Sequence, residues 1–512
     1  MMTAIPRNPV VRAFWRVGIR PRLRMRELLL LCAVALTLGV GWVSLASTRA
    51  AGLSVGRPLP LLLYLVTLGL VHVVFVISGR RMDQILLPVV GLLGGLSLLL
   101  MARLPQSIVS RTVGPVELGL LELQLVWLMV GLGVLGVVAV LLRRDGWLRD
   151  YKYTWAMAGI ALLVLVFVLG DEVNGARLSI TLGPLTGQPS ELLKVVLVVF
   201  LAAYLADNRS LLAGHSTRLG PLRLPPLPYL LPLLVMWGLA ILVVVVQRDL
   251  GAAFLFFSVF LGLLYVATRR VGYVVIGLVL FLGAAAVLYQ SFGHVRLRVD
   301  VWLDPTADPL GSGYQVLRAL YAFGRGGVMG TGLGAGLPQV GESQAIPLLH
   351  SDFAFAALGE ELGLAGAVAM CALYLVIAGR GLRIAARAAD EFGALLAAGL
   401  TLVIVLQAAL IIGGNLKLVP LTGITLPFVS YGGSSLLANG LVIGLLLAFS
   451  DTSGTRPSSA PARLLRRGRP VPDEVPGDPA DSATGDGASA TPREPAAEPG
   501  PAAVGAQPQV WS

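Results

Sequence analysis

The fold class this sequence predicts is an all-α polytopic membrane protein of about 12 transmembrane helices, and three observations carry it. Of the 512 residues, 56% are hydrophobic and 13% charged, with a mean hydropathy of +0.81. That apolar excess lies well beyond soluble globular chains. Apolar runs long enough to cross a bilayer recur at 28–48, 59–78, 85–102, 120–142, 153–170, 190–206, 228–247, 250–268, 273–290, 352–379, 392–413 and 430–449. With the N-terminus inside, the inner segments hold 27 of the 39 Lys and Arg and the outer ones 11. This is the bias that orients membrane proteins. The net charge of +11 therefore reflects cytoplasmic arginines rather than a nucleic-acid surface.

Residues 1–27 form a basic cytoplasmic arm with seven arginines, suited to anionic lipid. The first apolar run has full membrane length, unlike a cleaved signal peptide. Two helices occupy 28–84 and ten more occupy 85–450, with a large extracytoplasmic loop, 291–350, between helices 9 and 10. From Asp451 to Ser512 the chain is rich in Pro, Ala, Gly and Ser, which predicts a disordered cytoplasmic tail. Cys32 and Cys371 lie far apart, and His72, His215, His294 and His350 show no ligand spacing. A disulfide framework or metal cluster is not expected.

The stretch Asp300–Gly336 is too polar and glycine-rich for lipid. Asp300, Asp304 and Asp308 are spaced four apart, and Pro305 and Pro309 argue for a bent loop. Long loops in compact proteins tend to be functional. Charged groups in or beside spans usually face a cavity or a partner. Asn174-Gly175-Ala176-Arg177 is followed by Gln188-Pro189-Ser190-Glu191 and Lys194. Glu191 and Lys194 fit equally a local i,i+3 pair and an anion or relay site. Gln247-Arg248-Asp249-Leu250-Gly251 reads as a tight turn. His350-Ser351-Asp352 leads into Glu360-Glu361-Leu362-Gly363, where adjacent glutamates in an apolar run argue for function; His350 alone suits an interface. Pro420-Leu421-Thr422-Gly423 and the segment 427–435, with Ser430 and Ser434, suit either close helix packing or a pocket wall. The glycines of 324–336 have no βα unit around them and form no dinucleotide site.

In this order the motifs resemble the SEDS family of shape, elongation, division and sporulation proteins, typified by RodA and FtsW. The matching pieces are NGAR to QPSELLK (174–194), QRDLG (247–251), DPLGSGYQ (308–315), GVMGTGLG (327–334), IPLLHSDFAFAALGEELG (346–363) and LPFVSYGGSS (426–435). The resemblance covers about 85–450 and makes 28–84 an addition to a ten-helix core. Leu178-Ser179-Ile180 departs from the family's usual Trp-Ile pair, and Arg248 stands in a proline position.

The resemblance implies an inverting peptidoglycan glycosyltransferase in the bacterial cytoplasmic membrane, with both termini cytoplasmic. It would polymerise lipid II on the outer face, alongside a class B penicillin-binding protein that crosslinks the strands. Its lipid-linked substrates carry undecaprenyl diphosphate, a good leaving group, so one carboxylate base suffices. Spacing alone does not rank Asp304 against Asp308; the resemblance assigns Asp308 as general base. Arg296, Arg298, Arg318, Arg325 and Lys194 are the candidate cations for the diphosphate. The wider substrate-binding set is Arg177, Glu191, Lys194, Arg296, Arg298, Tyr314, Gln315, His350, Asp352, Glu360, Glu361, Ser430 and Ser434. A divalent cation, magnesium or manganese, is an expectation with no ligand set named; no nucleotide or organic cofactor is expected. An elongation role, RodA-like, is preferred over division. A lipid II flippase and a non-catalytic scaffold are the alternatives.

Overall fold

The computed structural model describes residues 22–47 and 58–451, except 105–107, 114–115, 143–145, 174–175, 183–184, 215–216, 220–221, 225–237, 239–248, 337–338, 341–342 and 345. The arm to residue 21, nearly all of the run 228–247 and the tail from 452 lie outside the described residues. Among those described, ten helices are long and apolar enough to cross a membrane. In order they are α1 Met25–Ser47, α2 Leu59–Ser78, α3 Leu86–Arg103, α4 Leu120–Leu141, α6 Lys152–Leu169, α7 Pro189–Gly214, α8 Leu250–Thr268, α9 Val271–Ser291, α12 Ala354–Arg387 and α13 Glu391–Asn415, with the short α5 Gly146–Asp150 before α6. The last predicted span is the 17-residue α14, Gly433–Phe449. Strands occur among the described residues as short antiparallel pairs and one three-stranded set in the connections. The all-α expectation holds because a chain in lipid must satisfy its backbone internally, which a helix does unaided.

The centre of the bundle is α3, α7 and α13, buried over most of their surfaces, while α6 and α9 present apolar faces outward. Small residues set the closest crossings. A Cβ on Gly440 of α14 would lie 3.0 Å from the Gly131 carbonyl carbon of α4. Only glycine permits that backbone approach. The first two helices are pinned by a buried polar node. Glu27 of α1 accepts from the Arg24 guanidinium at 2.5 Å and faces His72 Nδ1 of α2 at 2.7 Å. Arg24 also donates to the Met82 and Asp83 carbonyls at 3.3 and 2.7 Å. Asp83 in turn pairs with Arg380, and Arg80 with Asp451 at 2.7 Å. Buried charges of this kind are tolerated because each is paired and hydrogen-bonded.

The stretch expected as a bent loop carrying three carboxylates is instead partly helical. It contains α10, Gly293–Leu303, and α11, Tyr314–Gly326. Asp300 sits within α10, where its Oδ1 accepts from the Tyr289 hydroxyl at 2.9 Å. Asp304 ends that helix, and Asp308 lies in the turns that follow. Pro305 pushes the residue before it, Asp304, out of the helical region and so ends α10 there, while the residues upstream of Asp304 stay helical.

The run 352–379, expected as one span, is a helix kinked at Gly363, whose φ is +65°. The backbone groups exposed there are satisfied by the segment after α11. Leu364 and Ala365 amides donate to the Gly327 and Val328 carbonyls at 2.9 and 3.1 Å. Thr331 and Gly332 amides return bonds to the Glu360 and Glu361 carbonyls, both at 3.0 Å. Gly363→Ala is expected to lower the thermal unfolding temperature in detergent. Its φ would cost about 1–3 kcal/mol, and the new Cβ would meet the Gly330 amide nitrogen and lie 2.6 Å from the Val328 oxygen. Gly379→Ala on the same helix has nothing within 4 Å and should leave that temperature unchanged or slightly raised.

Candidate functional site

A cavity of about 500 Å³ opens where α10, α11, the turn before α12 and the segment after α13 meet. Its polar wall holds Arg298, Ser312, Tyr314, Gln315, Asp352 and Lys417; Leu297, Val301, Trp302 and Leu421 make an apolar flank. Proline and glycine punctuation in 305–313 ends α10 and restarts the chain as α11, which folds the Gly311–Ser312 turn against the cavity.

Asp308 caps that turn. Its Oδ1 accepts from the Gly311 amide at 3.1 Å, and its Oδ2 from the Ser312 amide at 2.7 Å and hydroxyl at 3.0 Å. The Ser312 donors, then the Gly311 amide, hold this exposed carboxyl below the usual carboxylate range. It is therefore ionised at neutral pH. Asp304, also exposed, is held low in the same way by the hydroxyl and amide of Thr306, with Lys417 contributing.

Asp352 behaves oppositely. Burial pushes its carboxyl up to about 6, while Ser351 and the charge of Arg298 pull against that rise. Asp352 and Arg298 flank Gly423, whose φ is +71°. A Cβ there would lie 3.9 Å from Asp352 Oδ2 and 4.0 Å from Arg298 Nη2, inside the mouth of the cavity. Arg298 donates to the Thr422 carbonyl at 3.3 Å.

Several sequence-predicted residues lie elsewhere. Glu191, Lys194 and Asp249 line a separate pocket of about 30 Å³, roughly the room of a water or two. Lys194 Nζ donates to Glu191 at 2.6 Å, Gln407 at 2.8 Å and Asn439 at 2.9 Å. Both sequence readings of this pair meet here: it is a local i,i+3 pair and also part of a buried polar cluster. Asp249 caps α8 through the Ala252 amide at 3.0 Å, as the turn reading expects. Gln247 and Arg248 lie outside the described residues, as do Asn174 and Gly175; Arg177 falls on a short strand, Ala176–Leu182.

Glu360 and Glu361 do not line the cavity. Glu361 pairs with Arg103 and accepts from the Gly334 and Gly336 amides at 2.9 and 3.2 Å. Glu360 pairs with Arg325 at 3.1 Å. The adjacent glutamates thus anchor the glycine-rich segment to α12. Arg325 is spent on that anchor, and Arg296 stacks over Tyr289 at 5.6 Å. Arg318 lies 4.9 Å over the Tyr314 ring. His350, half-buried and held below its usual pKa by that burial, meets Tyr431 edge-on at 5.9 Å. Ser430 ties the 426–430 turn to the Ser351 carbonyl and accepts from the Leu426 amide at 3.0 Å. Ser434 lies at the start of α14, partly exposed.

Sequence reasoning missed Lys417 and Asn415. The Asn415 amide donates to the Asp352 carbonyl at 2.9 Å and so fixes the cavity turn. A signal for Lys417 existed: it is the one basic residue in the apolar stretch 414–429.

Residues 81–454 match the profile of the FtsW/RodA/SpoVE family, described as a cell cycle protein. Over 433 residues the chain is 39% identical to the peptidoglycan glycosyltransferase RodA of Mycobacterium tuberculosis (strain ATCC 25618 / H37Rv), covering 84% of this chain and 91% of that protein. It is 36% identical over 378 residues to the probable peptidoglycan glycosyltransferase FtsW of Alkalilimnicola ehrlichii, covering 72% and 90%. Among solved structures, it resembles a chain of a peptidoglycan synthase complex described for its structural coordination of polymerization and crosslinking. The TM-score is 0.58 and the identity 28%, over 72% of this chain and 98% of the other.

Proposed function

The chain belongs to the SEDS family of FtsW, RodA and SpoVE proteins, RodA-like within it, and we propose that it polymerises lipid II in the cavity walled by Arg298, Asp352 and the Gly311–Ser312 turn that Asp308 caps. Family membership makes it a multi-pass membrane peptidoglycan glycosyltransferase of cell-wall synthesis. The cavity faces outward from the cytoplasmic membrane, both termini are cytoplasmic, and a class B penicillin-binding protein crosslinks the product. Cell elongation is its setting.

The observation that carries this reading is the pairing of an ionised carboxylate turn with a cavity that is cationic on one wall and apolar on the other. A lipid-linked disaccharide diphosphate has those same two characters. In the reaction, a sugar hydroxyl bonds to the anomeric carbon of a second molecule. The anomeric C–O bond to diphosphate breaks, and its electron pair leaves with the diphosphate. Asp308 takes the hydroxyl proton. Tyr314 and Gln315 at the wall orient the sugars by hydrogen bonding.

Among the described residues, no three His, Cys, Asp or Glu side chains converge as a metal site. In this proposal a magnesium or manganese ion, if used, would be carried into the cavity on the substrate's diphosphate.

The test is polymerisation of purified lipid II in detergent, with the partner transpeptidase present. Glycan strands support the reading. Movement of lipid II between two compartments without strand formation would overturn it. A pH effect is also expected. Ionised Asp352 repels a diphosphate, and its carboxyl titrates at about 6. As pH falls through that value the repulsion is lost, so the KM for lipid II should fall severalfold, by linkage of proton and ligand. Asp352→Asn should flatten that dependence, as measured by KM between pH 5 and 8.

A further inference from the structure

The end of α13 is built in an unusual way. Leu418 donates its amide to the Gly413 carbonyl at 2.7 Å, and Lys417 donates its own to Gly414 at 3.1 Å. This is a Schellman ending, and its left-handed residue is Lys417, at φ +59°. Glycine is the usual occupant of that position, because a Cβ is strained there.

A lysine at a helix end ordinarily bonds the last carbonyls of its own helix or pairs with a carboxylate. Among the described residues Lys417 does neither. Its Nζ donates to the Leu303 carbonyl at the end of α10, at 3.2 Å, and no ion pair to it is found. Asp304 is the nearby acid, but its Oδ1 is engaged by Thr306. The Trp302 indole donates to the Lys417 carbonyl at 3.1 Å and fixes the backbone. The ammonium is thus held at the cavity wall by one neutral carbonyl, with donors to spare. Arg298, in the same cavity, is likewise anchored on one neutral carbonyl, that of Thr422.

We propose that Lys417 binds the diphosphate of the lipid-linked substrate, with Arg298 as its companion. The assignment rests on the reading of this cavity as the polymerisation site and adds a residue to it. A strained backbone held by packing places a point charge where the leaving group gains charge. Lys417 transfers no proton; it neutralises the diphosphate as the anomeric bond breaks. Leu297, Val301, Trp302 and Leu421 then receive the first isoprenoid units. The other charged groups of the cavity are Arg298 and Asp352, with Asp304 beyond the rim.

The geometry supplies its own control, since glycine suits φ +59° better than lysine does. Full-length protein in detergent is titrated with undecaprenyl diphosphate, undecaprenyl monophosphate and undecaprenol, as wild type, Lys417→Gly and Lys417→Arg. Lys417→Gly should unfold at the wild-type temperature or above it. It should lose about tenfold or more in diphosphate affinity, the size of one charge-assisted hydrogen bond, with undecaprenol binding unchanged. Lys417→Arg should restore most of that affinity. Wild-type affinity in Lys417→Gly would overturn the assignment. So would a lowered unfolding temperature with unchanged affinity, because Lys417 would then only stitch α13 to α10. Failure of wild type to bind either phosphorylated lipid would overturn the reading of the cavity itself, whatever Lys417 does.

Discussion

Asp308→Asn is expected to lower lipid II polymerisation by about 10²- to 10⁴-fold, the range a positioned general base contributes. The carboxylate does two things that the variant separates only in part. Its oxygens cap the Gly311–Ser312 turn through three donors, and in the proposed reaction it accepts the hydroxyl proton. An asparagine keeps one acceptor and sets an amide NH₂ against the remaining donors. Some loss would therefore follow from the turn alone. Asp304→Asn measures that share. Asp304 is also an exposed aspartate, capping its turn through the Thr306 amide at 2.9 Å and hydroxyl at 2.5 Å. Its loss should cost less than about tenfold. An equal loss in both would reassign Asp308 from base to turn organiser. The pH profile gives an independent check. Both carboxyls are held below the usual carboxylate range, near 3.9, so Asp308 should contribute no acid limb to kcat above about pH 4.

The second large effect is on stability. Lys194→Met should destabilise the protein by about 3–5 kcal/mol, the penalty for leaving the partner of a buried ion pair uncompensated. Lys194 is 2% exposed and spends its three protons on Glu191, Gln407 and Asn439. Removing it strands three acceptors from three helices, α7, α13 and α14. Thermal unfolding in detergent measures the loss. The double variant Lys194→Met, Glu191→Gln should recover part of it, because the stranded charge is gone. An unchanged unfolding temperature in the single variant would mean that water enters the pocket and solvates Glu191.

Much of this protein was legible before any coordinates. Apolar runs located the membrane helices among the described residues, because lipid admits few other uses for twenty consecutive apolar residues. The order of separate motifs pointed to the family that the comparisons identify. The site was read less well. The three aspartates spaced four apart looked equivalent. Their differences come from partners that no spacing encodes: Tyr289 for Asp300, Thr306 for Asp304 and Ser312 for Asp308. The adjacent glutamates looked like a functional pair. Arg103, 258 positions from Glu361, makes one of them an anchor for the glycine-rich segment.

The sequence by itself determined the all-α membrane class, the family and the stretch where chemistry would be sought, because hydrophobic run length and motif order are local properties of the chain. Only the tertiary structure decided which charges meet. It set Asp352 and Lys417 on one cavity wall, withdrew Glu360 and Glu361 into buried pairs with Arg325 and Arg103, joined Lys194 to Gln407 and Asn439, and bent α12 at Gly363 around the segment that completes its backbone bonds. Electrostatic roles depend on distances of a few ångströms between residues hundreds of positions apart, and those distances exist only in the folded chain.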